Sequence, residues 1–135
     1  IAEYPGDGRF RTLSYSDGEH GYCGGGEYNA KTYGQIYKYD PNEDQWSTAF
    51  NLPIPLSNAS LLYDKRKLFL INGYFRSGAD LAENNKIYVK NGLNGDWENI
   101  LKLERPVDYT RGLCFFINDQ QLAVYTFGFF IYTFK

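Results

Sequence analysis

The chain has 135 residues and a formal net charge of −2, with a pI near 5.4. This length suits one domain burying about two-thirds of its unfolded surface, and the charge leaves no basic footprint for nucleic acid or an anionic membrane. Aromatic residues make up 19%, with 13 Tyr and 10 Phe beside 14 Gly, and stretches of helical period are missing, which is the composition of an all-β protein.

Residues 1–9 carry Pro5 and two glycines and read as an extended segment ending in a turn. Residues 11–15 supply a first strand, Asp17-Gly18 a hairpin turn, and residues 20–23 a second strand that stops at Gly24-Gly25-Gly26. Three successive glycines call for positive φ or close approach of another backbone. After a polar loop, residues 27–32, comes a third strand over 33–39. The turn 40–44 follows, with Pro41 presetting its φ, and then a fourth strand opens at Trp46 and ends before Leu52-Pro53.

Residues 58–73 repeat this opening hairpin most clearly. Leu61-Leu62-Tyr63 and Leu68-Phe69-Leu70-Ile71 flank the charged turn 64–67, and the second run stops at Asn72-Gly73. Apolar runs of this length bounded by turn residues suit strands buried on both sides. A longer loop, 74–85, leads to a third strand over 86–90, a turn over 91–96, and a fourth strand that opens at Trp97 and ends around 103–106. A third hairpin lies within 112–127, and the tail 129–135 reads as one more strand. The hairpin turns at Asp17, Asp64 and Asn118 are 47 and 54 residues apart, a spacing typical of propeller blades.

Gly25-Gly26 at the end of a second strand, Tyr39-Asp40-Pro41 in and after a third, Trp46 opening a fourth and Leu52-Pro53 closing it together resemble the kelch repeat. The second copy keeps Tyr88 and Trp97 with Asn72-Gly73 for the di-glycine; the third has Thr126-Phe127 there and no fourth strand. The resemblance implies four-stranded antiparallel blades of a β-propeller, the first about residues 9–53, the second about 54–106 and a partial third about 107–135. It implies Trp and Tyr wedged between blades and Gly where backbones crowd the axis. A ring needs about four blades or more. Further blades on the same chain or another fragment would complete it, or a second copy would, with residues 2–5 supplying the third copy's missing strand. A compact β fold of another kind is the remaining architecture.

In such a blade the loops after the second and fourth strands share one face, here 27–32, 53–57, 74–85 and 106–111. They present Tyr28, Lys31, Tyr74, Arg76, Asp80, Tyr109 and Arg111, with Arg105 beside them, and Tyr and Arg on rigid loops dominate interaction hot spots. The function this points to is a protein-interaction scaffold; the alternative is an extracellular carbohydrate-binding propeller, and for any single residue mere cover of a blade edge is the plain reading. Catalysis finds no constellation. His20 is the one histidine, too few for clustered metal ligands, so a copper site of the galactose-oxidase kind, which the resemblance brings to mind, lacks its ligands despite Tyr22-Cys23. No phosphate-cradling loop or nucleophile elbow is present, and no cofactor is expected. No apolar stretch reaches the ~20 residues of a membrane-spanning helix.

His20 reads as a hairpin surface residue, Lys65-Arg66-Lys67 as a solvated turn, and Cys23 and Cys114 as buried thiols or one disulfide. Asn58-Ala59-Ser60 is a glycosylation acceptor triplet, which leans toward a secreted setting over a cytoplasmic one. The chain starts at Ile1 and has no Met, as a processed chain or a piece of a longer one would.

Overall fold

The computed structural model of the chain describes residues 1–103, 113–118, 120–125 and 129–133, and every regular element among these residues is a β-strand. The first sheet holds β1 (Leu13–Ser16) and β2 (Gly21–Gly24), then, after the short strands β3 (Glu27–Tyr28) and β4 (Lys31–Thr32), β5 (Gln35–Asp40) and β6 (Gln45–Asn51). The second holds β7 (Ser57–Asp64) and β8 (Lys67–Ser77), then, after β9 (Asp80–Glu83), β10 (Lys86–Asn91) and β11 (Trp97–Lys102). The third is β12 (Leu113–Asn118), β13 (Gln121–Tyr125) and β14 (Phe129–Thr133). The first sheet has the order β1-β2-β5-β6, the body of the second β7-β8-β10-β11 and the third β12-β13-β14, antiparallel throughout.

The sheets pack face to face in chain order. Alternation along β8 explains how the middle sheet serves both neighbours: successive side chains point to opposite faces. Leu68 and Leu70 join Leu13, Tyr22, Ile36, Leu52, Leu56 and Leu61 in a core with the first sheet. Phe69 and Ile71 join Ile87, Val89 and Leu103 in a second core, where Phe116 of β12 meets Phe69 edge-on at 4.9 Å. An unbroken apolar run is therefore what a strand covered on both faces requires. The first strands of the sheets adjoin, β1 beside β7 and β7 beside β12.

The first two sheets repeat each other's contacts. Gly25 and Gly26 have φ of +61° and +80°, and Asn72 and Gly73 have +65° and +85°. Asn tolerates this left-handed region, which is why it replaces the first glycine. The Tyr33 amide donates to Gly26 O as that of Asn84 does to Gly73 O, and Leu52 N donates to Gly34 O as Leu103 N does to Asn85 O. Both third strands shift register at the same place, between Ile36 and Tyr37 and between Ile87 and Tyr88.

Three expectations change. Asn72-Gly73 does not end its strand: Ser57 pairs with Tyr74 and Ala59 with Asn72, so one register runs through the opposed Asn58 and Gly73 and β8 continues to Ser77. Residues 27–32 and 74–85 are not loops but hairpins. Residues 2–5 do not pair as a strand; they lie against the first sheet, where Ala2 N donates to Asp44 Oδ1 at 2.7 Å and Tyr4 meets the rings of Tyr37 and Trp46 edge-on.

Candidate interaction surface

The site begins where β8 overruns its sheet. Past Tyr74 it turns at Gly78 (φ +61°) into β9, pairing Tyr74 with Glu83 through Ser77 with Asp80. From the first sheet, β3 turns at Asn29 and Ala30 (φ +48° and +57°) into β4. Lys31 pairs with Ser77, and Gly78 N donates to Ala30 O at 2.9 Å. The two hairpins thus fuse into one four-stranded ribbon, β3-β4-β8-β9. Phe10 extends it through two backbone hydrogen bonds with Glu27. Fusion pairs backbone groups that two separate hairpin edges would leave open.

The register sorts the ribbon's side chains. Tyr28, Lys31, Ser77 and Asp80 stand on one rung and hence on one face, all exposed. Glu27 and Thr32, one rung on, are buried. The Thr32 hydroxyl donates to Arg76 O and accepts from Arg76 N, each at 3.2 Å, which ties the hairpins side chain to backbone.

Glu27 is the hub beneath. Arg11 Nη1 donates to Glu27 Oε1 at 2.7 Å and to the Tyr74 hydroxyl at 2.6 Å. The Tyr74 hydroxyl donates to the same carboxylate oxygen, and Arg76 Nε lies 3.5 Å from Glu27 Oε2. The bond to Glu27, then that to Tyr74, raises the pKa of Arg11 above the ordinary arginine value. A carboxylate only 3% exposed is tolerable here because every neighbour that faces it is a donor.

Of the residues singled out in the sequence, Tyr28, Lys31 and Asp80 come together on the exposed rung. Arg76 is half-buried, its Nε turned to Glu27. Tyr74, expected to face a partner, is instead 3% exposed and holds Glu27, because it continues the buried stretch of β8. Arg105, Tyr109 and Arg111 lie outside the described residues. Glu27 and Arg11 were not legible as a pair: nothing in their types or spacing announces that a residue after a glycine run meets one before the first strand.

The opposite mouth has its own polar cluster. His20, expected on the surface, is half-buried between Asp17 (Nδ1 to Oδ2 3.5 Å) and Asp40 (Nε2 to Oδ2 3.8 Å). Tyr15 stacks on Tyr22 at 4.4 Å and on Tyr63 at 5.8 Å, and these rings with Asp17 and Arg66 line a cavity of about 230 Å³. Burial alone would raise the Asp17 pKa. The His20 and Glu19 amides, the Tyr22 hydroxyl and the His20 imidazole outweigh it and hold Asp17 at about 2.

A folded pKa below the unfolded one adds stability that is complete above about pH 4 and disappears as pH falls through about 2. Asp17→Asn is therefore expected to lower the stability read by urea unfolding at pH 6, by at most ~2 kcal/mol after solvent screening, and to leave it near wild type at pH 2. An equal deficit at both pH values would contradict this account of Asp17.

Cys23 is a free, half-buried thiol. Asn58 is half-buried in β7, opposite Gly73, with φ +56°. Among the described residues no three His, Cys, Asp or Glu side chains group as a metal site, and no helix is long and apolar enough to cross a membrane.

No family model matches the chain. It is 26% identical to Alpha-scruin of Limulus polyphemus over 86 residues, a match covering 62% of this chain and 9% of that protein. The chain spans less than a tenth of this relative's length.

Proposed function

We propose that the chain is a set of kelch-like propeller blades acting as a protein-interaction module, its contact surface the exposed rung Tyr28, Lys31, Ser77 and Asp80. The distant likeness to Alpha-scruin, a kelch-repeat protein, supports a protein-binding role. The observation that carries the blade reading is a contact made twice. Trp97 Nε1 donates to Asn51 O at the end of β6, and its ring meets Phe50 edge-on. Trp46 Nε1 donates to Ala2 O, and its ring meets Tyr4 edge-on. Residues 2–5 thus stand to the first sheet as the end of β6 stands to the second, the place a preceding blade would fill. Further blades, in the same polypeptide, on another fragment or in a second copy, fit beyond that face.

A rigid rung of Tyr, Lys and Asp combines one aromatic anchor with charges of both signs, the mixture from which interface hot spots are built. Replacing Tyr28, Lys31 and Asp80 together by Ala is expected to abolish capture of partner proteins from an extract, with the circular dichroism spectrum and urea midpoint unchanged because all three are exposed. Undiminished capture of the same partners would remove this face from the proposal.

A further inference from the structure

The chain is net acidic, yet cations gather where the ribbon meets the first sheet. The Arg9 guanidinium lies 4.0 Å from the centre of the Tyr33 ring and Lys31 Nζ 5.4 Å from it. Among the described residues neither has a carboxylate partner. Arg11 and Arg76, by contrast, are taken up by the carboxylate of Glu27, one rung on. Arg9 Nη1 donates to Gly25 O at 3.4 Å, and its Nε is shut off from water with no hydrogen-bond acceptor. Tyr33 therefore carries two cations that have no ion pair of their own, with Asp80 two strands away from Lys31 on the exposed rung.

We infer that this pair of cations takes an acidic peptide segment, its carboxylates received by Arg9 and Lys31 at the Tyr33 ring. The inference rests on the interaction reading above and names its partner's chemistry. Tyr33 fixes both cations by its ring face, so their long side chains lose less freedom when an anion arrives. Glu27 faces away from the rung that a partner meets, so it does not repel the incoming acid directly.

The test is fluorescence anisotropy with a labelled short peptide of alternating Glu and Gly, and with its Gln counterpart. The Glu peptide should bind the wild-type chain and the Gln peptide should not. Affinity should fall about tenfold or more from roughly 0.01 to 0.15 M salt, as the screening length shrinks from about 30 to 8 Å. Arg9→Gln with Lys31→Gln should weaken the Glu peptide about tenfold; Lys31→Gln alone, at an exposed side chain, should do so in part with the urea midpoint unchanged. Equal binding of the two peptides, binding of neither, or an unaffected double variant overturns the inference, as does a duplex oligonucleotide that binds more tightly than the Glu peptide. If the peptide fails while Tyr28→Ala with Asp80→Ala still abolishes partner capture, the charge inference falls and the interaction surface stands.

Discussion

Glu27→Ala is expected to destabilise the fold by about 2–4 kcal/mol, one of the largest losses available to a single polar substitution in this chain. The carboxylate ties Arg11, Tyr74 and Arg76, and through them binds the first sheet to the overrun of β8. The guanidinium share of that energy is discounted, since Arg11 and Arg76 keep 53% and 37% of their side-chain exposure and can turn to water. Tyr74 cannot, and its hydroxyl would be left buried with fewer partners. Glu27→Gln keeps an acceptor for Tyr74 and should lose less. A urea midpoint unchanged by Glu27→Ala would mean that the hairpins hold together without their hub.

Gly73→Ala should be as damaging, about 3 kcal/mol or more, for two separable reasons. Its φ of +85° is strained for any residue with a Cβ, and that Cβ would lie 2.6 Å from the Ala59 Cβ and 2.9 Å from Ser57 O, on the paired strand β7. Gly18 has φ +97° with nothing within 4 Å, so Gly18→Ala carries only the conformational part, about 1 kcal/mol. Equal losses for the two variants would refute the close approach of β7 to Gly73.

The contrast between these glycines also marks what the sequence makes visible. The all-β class, the hairpins and the fourth strands opening near Trp46 and Trp97 could be read because long apolar runs end at turn residues. The two-sided burial of β8 followed from four consecutive apolar residues, 68–71, which alternation then divides between two cores. What could not be read was the ribbon. Its strands β3 and β4 are two residues long, too short for any period, and they are closed by a pairing between Lys31 and Ser77 that joins distant parts of the chain.

Asn72-Gly73 has the chemistry of a strand end, yet a left-handed kink inside a continuing strand has the same backbone needs, and only the partner strand decides between them. Tyr74 was misplaced for the same reason. Its type suits an interface, and its burial depends on Arg11 and Glu27, which lie 63 and 47 positions earlier in the chain. Lys31 and Asp80 lie 49 positions apart in the sequence and on one rung in space, with Ser77 between them, an alignment that belongs to register alone.

The account centres on the ribbon as the contact surface, and hydrogen–deuterium exchange of the chain with and without a captured partner protein tests it most directly. Protection should appear over residues 27–32 and 74–83, with the basic hairpin tip 64–67 at the opposite mouth unchanged. Protection at 64–67 with the ribbon exchanging as freely as before would contradict it.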